Sequence, residues 1–455
     1  MAKRLFKLLI IVICFTIICA CNIKTPNNKT DKTNINLDNN ILMKASEKVY
    51  IDDTELNVNA QYQEFVRKLQ VFSAKLSVAA YKDSDKSKNL AVSPVSVYMA
   101  LAMTITNADG VAKEELLNAI GVTEDEVNNF TKYLYSSLKQ EKYKYDDVLE
   151  EEKLASILDI NNSIWIDPSV KLKQNGLENL ANNFMVDSFY APFRTENEKA
   201  NELLSKYIED KTRGLITPKL ELEKSTLFAL VNTLYMKDFW AGCDDKLNFT
   251  KNEYDFTSSN NEIIKKFFLE STYNLGRVIE TESYKHFYVS TDSGYILKLF
   301  IPKDGYSLDD IFTEENLLEI NRTKQYNISD YFGGCVPSPV EYHTRTIFPA
   351  FEASYNKDLV EIFKKDFNVK SIFTSGKHLT GLTDVNLFVD SIIHQTKLKV
   401  DETGIEGAAV TIVVVGNESV GPTIELRDFV IDRAFGYLLT DSYGNVLFSG
   451  VVNTI

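Results

Sequence analysis

The sequence is poor in the residues that most enzyme active sites use. Among 455 residues there are only four histidines and five cysteines, and no CxxC pair or Cys/His cluster suggests a metal site. No GxGxxG, GxxxxGKS/T, HExxH or GxSxG motif occurs. A serine triad leaves no local motif because it assembles from distant residues, but no histidine pair stands out as part of one. We therefore expect no enzymatic activity, no metal and no cofactor.

Basic residues and cross-links are also scarce. The chain has 50 basic and 64 acidic residues and a net charge of −14, without a basic stripe, so we expect no nucleic-acid partner. Three of the five cysteines fall within the first 21 residues. A disulfide between Cys243 and Cys335 is left open, because nothing in their spacing requires it. Stability must then come from packing.

The N-terminus has the pattern of an export signal. A basic stretch, Lys3–Lys7, precedes the apolar run Leu8–Ile18, which is too short to span a bilayer. The run ends at Ile18–Cys21, which resembles a bacterial lipobox. We predict a lipoprotein signal peptide over 1–20, lipid attachment at Cys21, and a protein on the extracellular face of the cell membrane, held by the lipid alone or released. The alternative is a plain signal peptide with an incidental cysteine.

A polar segment follows the predicted lipid site. Seven of the 19 residues in Asn22–Asn40 are asparagine. Such a stretch cannot bury enough apolar surface to offset the entropy lost on ordering. We predict a flexible tether over 21–57, followed by a folded domain over 58–455.

The rest of the chain mixes helical and strand patterns. Apolar residues recur at helical spacing between Phe65 and Leu76, and Ser93-Pro94 is a typical helix start. Residues 201–212 are predicted to be helical and 226–237 to form a long buried strand. The last 60 residues are mostly strand-like. The mixture predicts an α+β fold with large sheets.

One segment near the C-terminus has an unusual composition. Residues 402–415 read ETGIEGAAVTIVVV, in which small residues are followed by β-branched ones. Alternate positions from Ile405 to Val415 are small or apolar throughout, and the opposite set, from Gly404 to Val414, carries one charge, Glu406. Such a segment could enter a sheet as a new strand with its smooth face on the core. The alternative is a resident strand with a glycine-rich entry.

Five segments, in chain order, resemble the serpin family, and the resemblance extends from about residue 60 onwards. They are NLAVSPVSVYMALAMTITNADG (89–110), LVNTLYMKDFW (230–240), IFTSGKHLTGLT (372–383), VDETGIEGAAVT (400–411) and AFGYLLTDSYGNVLFSGVVN (434–453).

The resemblance implies a fold and a mechanism. The fold would have three β-sheets, about nine helices and an exposed reactive-centre loop. A target protease, a serine or cysteine endopeptidase, would cut the loop as a substrate, and the freed segment would insert into the central sheet and trap the acyl-enzyme. The uncut form would be a kinetic trap. We expect a monomer. The alternative is a non-inhibitory serpin-fold surface binding or adhesion lipoprotein.

The resemblance also assigns site residues. The loop hinge would be Glu402, Gly404, Ile405, Glu406, Gly407, Ala408, Ala409 and Val410. The cluster where the sheet opens would be Ser93, Ser96, Asn232 and His394. Trp240 would lie at the loop entry. The reactive bond would be Glu418–Ser419, within a window of about 415–423, where Glu418 suits a glutamyl endopeptidase and Val415 or another nearby bond suits an elastase-like enzyme.

Four positions depart from the family pattern. Ile405 stands where Thr or Ser is usual, and Gly407 where Ala is usual. Ala350 replaces a Lys that commonly pairs with the hinge glutamate, here Glu402, and Ala434 replaces the Pro before Phe435. We expect these departures to affect the efficiency of inhibition more than the fold.

Overall fold

The computed structural model describes residues 37–46, 59–146, 151–241, 247–274, 278–322, 342–406 and 425–455. The compact unit begins at Leu37. Its described helices are α1 (Ala60–Asp83), α2 (Pro94–Ile105), α3 (Gly110–Ile120), α4 (Glu124–Ser137), α5 (Gln174–Asn183), α6 (Asn197–Lys211), α7 (Leu308–Ile311), α8 (Glu314–Arg322) and α9 (Val360–Asp366), with short 3-10 turns at Leu37–Asn40 and Ser371–Phe373.

Eighteen strands are described in the same ranges. They are β1 (Ile41–Met43), β2 (Leu90–Val92), β3 (Lys139–Asp146), β4 (Glu151–Ile166), β5 (Val186–Tyr190), β6 (Phe228–Phe239), β7 (Asn248–Thr257), β8 (Ile263–Asn274), β9 (Ile279–Glu280), β10 (Tyr284–Ser290), β11 (Ile296–Pro302), β12 (Tyr342–Phe348), β13 (Phe351–Asp358), β14 (Ile393–Val400), β15 (Gly404–Glu406), β16 (Glu425–Val430), β17 (Phe435–Thr440) and β18 (Val446–Val452).

The strands form three sheets, which confirms the predicted α+β class. Sheet A has the order β1-β5-β4-β6-β15-β14-β13, with β3 also paired to β4. Sheet B has the order β2-β18-β17-β11-β10-β9, and sheet C the order β16-β12-β8-β7. Sequentially distant strands are neighbours in all three sheets, so the core depends on long-range pairing.

The helices that cover sheet B follow the predicted pattern. In α1 the side chains of Phe65, Leu69, Phe72 and Leu76 are all buried, because their spacing places them on one helix face. Asn59 caps this helix, its side-chain oxygen accepting from the N–H groups of Gln61 and Tyr62. None of the helices in the described ranges is both long and apolar enough to cross a lipid bilayer.

The expected tether over 21–57 is wrong for the part of it that the structure describes. Ile41 pairs with Phe189, so β1 is the edge strand of sheet A. The N–H of Ala45 donates to Asp187 Oδ1 at 2.9 Å, and that of Ser46 to the carbonyl of Ala181 at 2.9 Å. The apolar triplet Ile41–Met43 is only three residues long and directly follows an Asn-rich stretch. The composition of the whole segment therefore remains polar and does not indicate a strand. The domain therefore starts at Leu37 rather than at 58.

We predict that β1 contributes to stability. A variant that begins at residue 47 loses the backbone bonds of β1 and the half-buried contacts of Leu42 and Met43, which should cost about 2–3 kcal/mol. In a domain of this size that loss lowers Tm by about 2–3 °C. Differential scanning calorimetry measures the shift. A variant that begins at residue 37 is the control and should melt like the full chain; equal Tm values for both truncations would contradict the prediction.

Candidate functional site

The chain reverses direction between β14 and β15 in a tight turn. The N–H of Asp401 donates to the carbonyl of Gly404 at 3.0 Å, and the N–H of Gly404 donates back to the carbonyl of Asp401 at 3.3 Å. The Asp401 carboxylate accepts from the N–H of Thr403 at 2.9 Å and from its hydroxyl at 2.6 Å. We call residues 401–404 the hinge turn. It converts the end of one strand into the start of the next.

Glycine is needed at Gly404 for two reasons. Its φ is +154°, in the range that other residues rarely adopt. A Cβ atom at this position would lie 2.0 Å from the carbonyl oxygen of Asp238 on β6. The hinge turn can therefore approach β6 closely only because position 404 has no side chain.

Residues Gly404–Glu406, which begin at the last position of the hinge turn, lie inside sheet A. Ile405 pairs with Val400 on β14 and with Asp238 on β6, so β15 is hydrogen-bonded on both sides. The Ile405 side chain is fully buried. The bulky departure from the family pattern is thus accommodated between two central strands, with its side chain in the core.

Glu406 is held by two side chains of β6. Its Oε1 accepts from the Tyr235 hydroxyl at 3.0 Å and lies 3.1 Å from Lys237 Nζ. Burial raises the pKa of Glu406, while the Lys237 ammonium and the Tyr235 hydroxyl lower it by a smaller amount. The one charge of the entering segment is therefore buried against a matched cation, and it fastens β15 to β6.

Three neighbouring residues, Trp240, Lys399 and Leu247, hold the hinge turn in position. Trp240 is buried, and its Nε1–H donates to the carbonyl of Asp401 at 2.8 Å. Lys399 Nζ lies 2.9 Å from the Asp401 carboxylate. Burial alone would raise the pKa of Asp401, but the bonds from Thr403 and Lys399 hold it below its usual value. The N–H of Leu247 donates to the carbonyl of Glu402 at 2.7 Å.

The four residues assigned to the sheet-opening cluster lie in two adjacent pairs. The N–H of Ser93 donates to His394 Nε2 at 3.1 Å. The Ser96 hydroxyl donates to Asn232 Oδ1, and the Asn232 amide in turn donates to Asn162 Oδ1. These contacts join the start of α2 to β4, β6 and β14. Asn232 is five residues before Lys237, so the cluster lies about 17 Å along the strand from Glu406.

His394 is buried as a neutral group. Burial lowers its pKa to about 3. Because Nε2 accepts the bond from Ser93, the ring proton belongs on Nδ1. Ser93 occupies the predicted N-cap position, but its hydroxyl makes no capping bond. The pairing of Ser93 with His394 through the backbone is therefore the contact that ties α2 to β14 here.

Two of the family departures have visible local consequences. Ala350 lines a surface cavity of about 370 Å³ together with Lys266, Lys399 and Asp401. Within the described residues Glu402 has no ion pair, and the carboxylate that is paired at this place is Asp401. The N–H of Ala434 donates to the carbonyl of Thr257 at 3.0 Å, a bond that proline cannot make.

Part of the predicted site lies outside the described residues. This applies to Gly407, Ala408, Ala409, Val410, the Glu418–Ser419 bond, the lipid site Cys21 and the two cysteines Cys243 and Cys335.

Sequence reasoning missed three residues of the site. Tyr235 and Lys237 are two positions apart on β6 and therefore share a face, which could have marked them as partners for the single charge at Glu406. Asn162 lies opposite Asn232 in the β4–β6 register. No local signal identifies Asn162, because its partner is 70 residues away.

A loop hinge that enters the central sheet is the architecture of a serpin, and the sequence comparison gives the same class. The family model described as Serpin (serine protease inhibitor) matches residues 67–455, so the chain belongs to the serpin family. Iripin-1 of Ixodes ricinus is 27% identical over 386 residues, which cover 82% of this chain and 90% of that protein. An uncharacterized serpin-like protein of Methanosarcina acetivorans is 23% identical over 379 residues, covering 81% and 82%.

Solved structures show the same fold. The thermophilic serpin tengpin in its native state matches with a TM-score of 0.69 and 22% identity, covering 91% of this chain and 98% of that one. Thyroxine-binding globulin in complex with thyroxine matches with a TM-score of 0.67 and 20% identity, covering 86% and 99%. At these identities the matches establish architecture alone, and the second is the structure of a protein with this fold that binds thyroxine.

We predict that Glu406→Ala loosens β15. The change removes the contacts to Tyr235 and Lys237, and losing one charge-assisted contact of this kind should increase local opening about tenfold. Hydrogen exchange of the amides of residues 404–406, followed by mass spectrometry, measures that opening. Glu402→Ala is the matched control, because Glu402 lies in the same turn without an ion pair in the described structure. Equal exchange in the two variants would show that Glu406 does not fasten the strand.

We predict that His394 makes stability depend on pH. The unfolded chain binds a proton near pH 6.5, whereas the folded chain does so only near pH 3. Between these values unfolding takes up one proton, so the free energy of unfolding falls as pH falls, by about 2 kcal/mol at pH 5.

His394→Gln isolates this effect. Gln keeps an acceptor for the Ser93 N–H but does not titrate. Urea titrations at pH 8 and pH 5 should show that the wild type loses about 2 kcal/mol more than the variant. All other titrating groups are common to both proteins and cancel in the difference. Parallel pH profiles would mean that His394 is not buried as a neutral group.

Proposed function

We propose that this serpin is a lipid-anchored inhibitor of an extracellular serine or cysteine endopeptidase, acting as a suicide substrate. The observation that carries the proposal is the position of β15. Gly404–Glu406 are already paired between β6 and β14, so the central sheet accepts the first residues of the reactive loop while the loop is continuous with the rest of the chain.

The reacting groups of the proposed acylation step, apart from the cleaved bond itself, all belong to the protease. The protease nucleophile, a serine hydroxyl or cysteine thiol, adds to the carbonyl carbon of the bond proposed at Glu418–Ser419. The C–N bond breaks, the amine of Ser419 leaves with a proton, and Glu418 becomes an ester or thioester of the protease. Insertion of the freed segment then separates the acyl group from the protease residues that would activate water.

The contacts between β6 and β14 support further insertion. Both strands run antiparallel to β15 and hence parallel to each other. Besides their pairing with β15, the described structure records one parallel bridge at this place, from Leu230 on β6 to Ile392, the residue just before β14. The Ser96–Asn232 and Ser93–His394 contacts tie each strand to α2 rather than to the other strand. Parting the two strands therefore breaks few direct bonds.

The location and assembly belong to the same proposal. The basic and apolar start of the chain and the Ile18–Cys21 pattern support export and lipid attachment at Cys21. An extracellular protease with a glutamyl or elastase-like specificity fits the residues near the proposed bond. The inhibitor is proposed to act as a monomer, with the membrane contacted through the lipid alone.

A protease panel tests the proposal. The full chain is incubated with a glutamyl endopeptidase, an elastase and trypsin, and the products are separated by denaturing electrophoresis and analysed by mass spectrometry. We expect a covalent complex with the glutamyl endopeptidase or the elastase, and a cut between about 415 and 423. Clean cleavage without complex, and without a rise in thermal stability, would favour the alternative of a non-inhibitory binding or adhesion protein.

Ala409→Arg is the matched variant for the mechanism. Position 409 is on the same alternate set as Ile405, whose side chain is in the core, so a guanidinium would have to be buried without a partner. We expect normal folding and normal cleavage but loss of the covalent complex, measured by the ratio of complex to cleaved inhibitor. Retained inhibition would contradict the face assignment of the inserting segment.

A further inference from the structure

The surface cavity beside Ala350 lies where separate parts of the fold meet. Its volume is about 370 Å³, which is within the range of cavities that hold small organic molecules. The terminal pair of the β13–β14 ladder, Phe351 with Val400, forms part of its wall. Lys266 of β8 and Asn89, which precedes β2, form other parts. We call this space the Ala350 cavity, and its walls join sheet A to sheet C.

Hydrogen bonds and ring packing hold the walls of the Ala350 cavity in place. The Asn89 amide donates to the carbonyls of Glu352 at 2.8 Å and Thr454 at 2.9 Å. Its Oδ1 accepts from the N–H groups of Asn453 at 2.7 Å and Thr454 at 3.0 Å. The Phe351 ring packs against two aromatic rings of β17. A ligand would therefore bind without the cost of ordering these walls.

Part of the cavity wall is apolar. Phe351 and Val400 are buried residues, and Ala350 packs against the same core while remaining partly exposed. The family pattern has a lysine at position 350, and its four-carbon chain would occupy part of this space. Because the chain has alanine there, the cavity can accept the apolar part of a ligand beside the core.

The side-chain charges around the cavity leave one cation without a partner. Lys399 Nζ lies 2.9 Å from the Asp401 carboxylate, and the Glu352 carboxylate lies 3.2 Å from Lys397 Nζ. Lys266 is exposed and has no ion pair within the part of the chain that the structure describes. A carboxylate in the cavity would give Lys266 a charge-assisted hydrogen bond. The cavity therefore favours an anionic ligand over a neutral or cationic one.

We propose that the Ala350 cavity is a binding site for a small carboxylic acid with an apolar body of about eight carbon atoms. The carboxylate pairs with Lys266, and the apolar body lies against Ala350, Phe351 and Val400. A ligand of about ten non-hydrogen atoms should bind with a Kd on the order of 0.1 mM. Binding does not depend on the inhibitory function proposed above.

The bound acid also contacts the hinge turn, because Asp401 is part of the cavity wall. The carbonyl of Asp401 accepts from Trp240, and its N–H bonds to Gly404 close the turn. An occupied cavity therefore restrains the turn from which β15 begins. The expected consequence is slower insertion of the reactive loop, and this consequence rests on the inhibitory function proposed above.

Isothermal titration calorimetry of the full chain with octanoate tests the site. We expect one binding site per chain, and a Kd raised at least fivefold by Lys266→Gln, which removes the charge and keeps the length. Lys265→Gln is the matched control, because Lys265 is also exposed on β8 but does not line the cavity, and it should change the Kd less than twofold. Ala350→Leu fills the cavity and should abolish binding.

Hydrogen exchange and inhibition kinetics test the link to the hinge. With about 5 mM octanoate, well above the expected Kd, exchange of the amides of residues 401–404 should slow at least threefold in the wild type and stay unchanged in Ala350→Leu. The association rate constant with the protease that forms the covalent complex should fall about threefold. Unchanged exchange in the wild type would overturn the link to the hinge turn.

The remaining outcomes separate the claims. Absence of octanoate binding, or equal Kd values for Lys266→Gln and Lys265→Gln, overturns the site. Equally tight binding of 1-octanol or octylamine overturns the choice of a carboxylic acid. A wild type that binds octanoate but forms no covalent complex with any protease rejects the inhibitory function and supports the site. If Ala350→Leu does not fold, judged by urea unfolding, Ala350→Val should still weaken binding about threefold.

Discussion

The proposed function depends on the space between β6 and β14, two central strands of sheet A, which β15 occupies as a third strand. β6 and β14 run in the same direction, and neither can form a regular antiparallel ladder with the other, but each can do so with β15. Gly404 allows the close approach, Ile405 fills the core position, and Glu406 carries its charge to Lys237. The position of β15 is stabilised by the remaining strands of sheet A, by the contacts of Ser93 and Ser96 with β14 and β6, and by the hydrogen bond from Trp240 to Asp401.

The hinge could be predicted from the sequence because the properties that define it, residue size, charge and a turn glycine, all lie within one short segment. The small residues and the single charge of 404–409 are visible in the printed chain, and so is the glycine of the turn. The partners were not visible, because Tyr235 and Lys237 are about 170 residues away. Pairing of that kind is decided by sheet register, which sequence patterns alone do not specify.

The difference between features set by nearby residues and features set by distant partners also explains which other elements could be predicted from the sequence. The helix through Phe65 and the strand over 228–239 were predictable because long periodic or continuous apolar segments have one low-energy arrangement. β1 was missed because three apolar residues in a polar stretch become a strand only when an edge such as β5 is available. Ala434 looked like a simple loss of proline, yet its N–H makes a bond to Thr257 that proline would forbid.

The closure of sheet B has a consequence for synthesis. β2 pairs with β18, so Leu90 meets Val451 near the very end of the chain. A ribosome releases the N-terminal part long before its partner exists, at roughly 5–20 residues per second. Sheet B therefore cannot be completed until translation ends, and the apolar residues that β18 covers stay exposed to solvent until then. Chaperone demand and a slow final folding step follow directly from this topology.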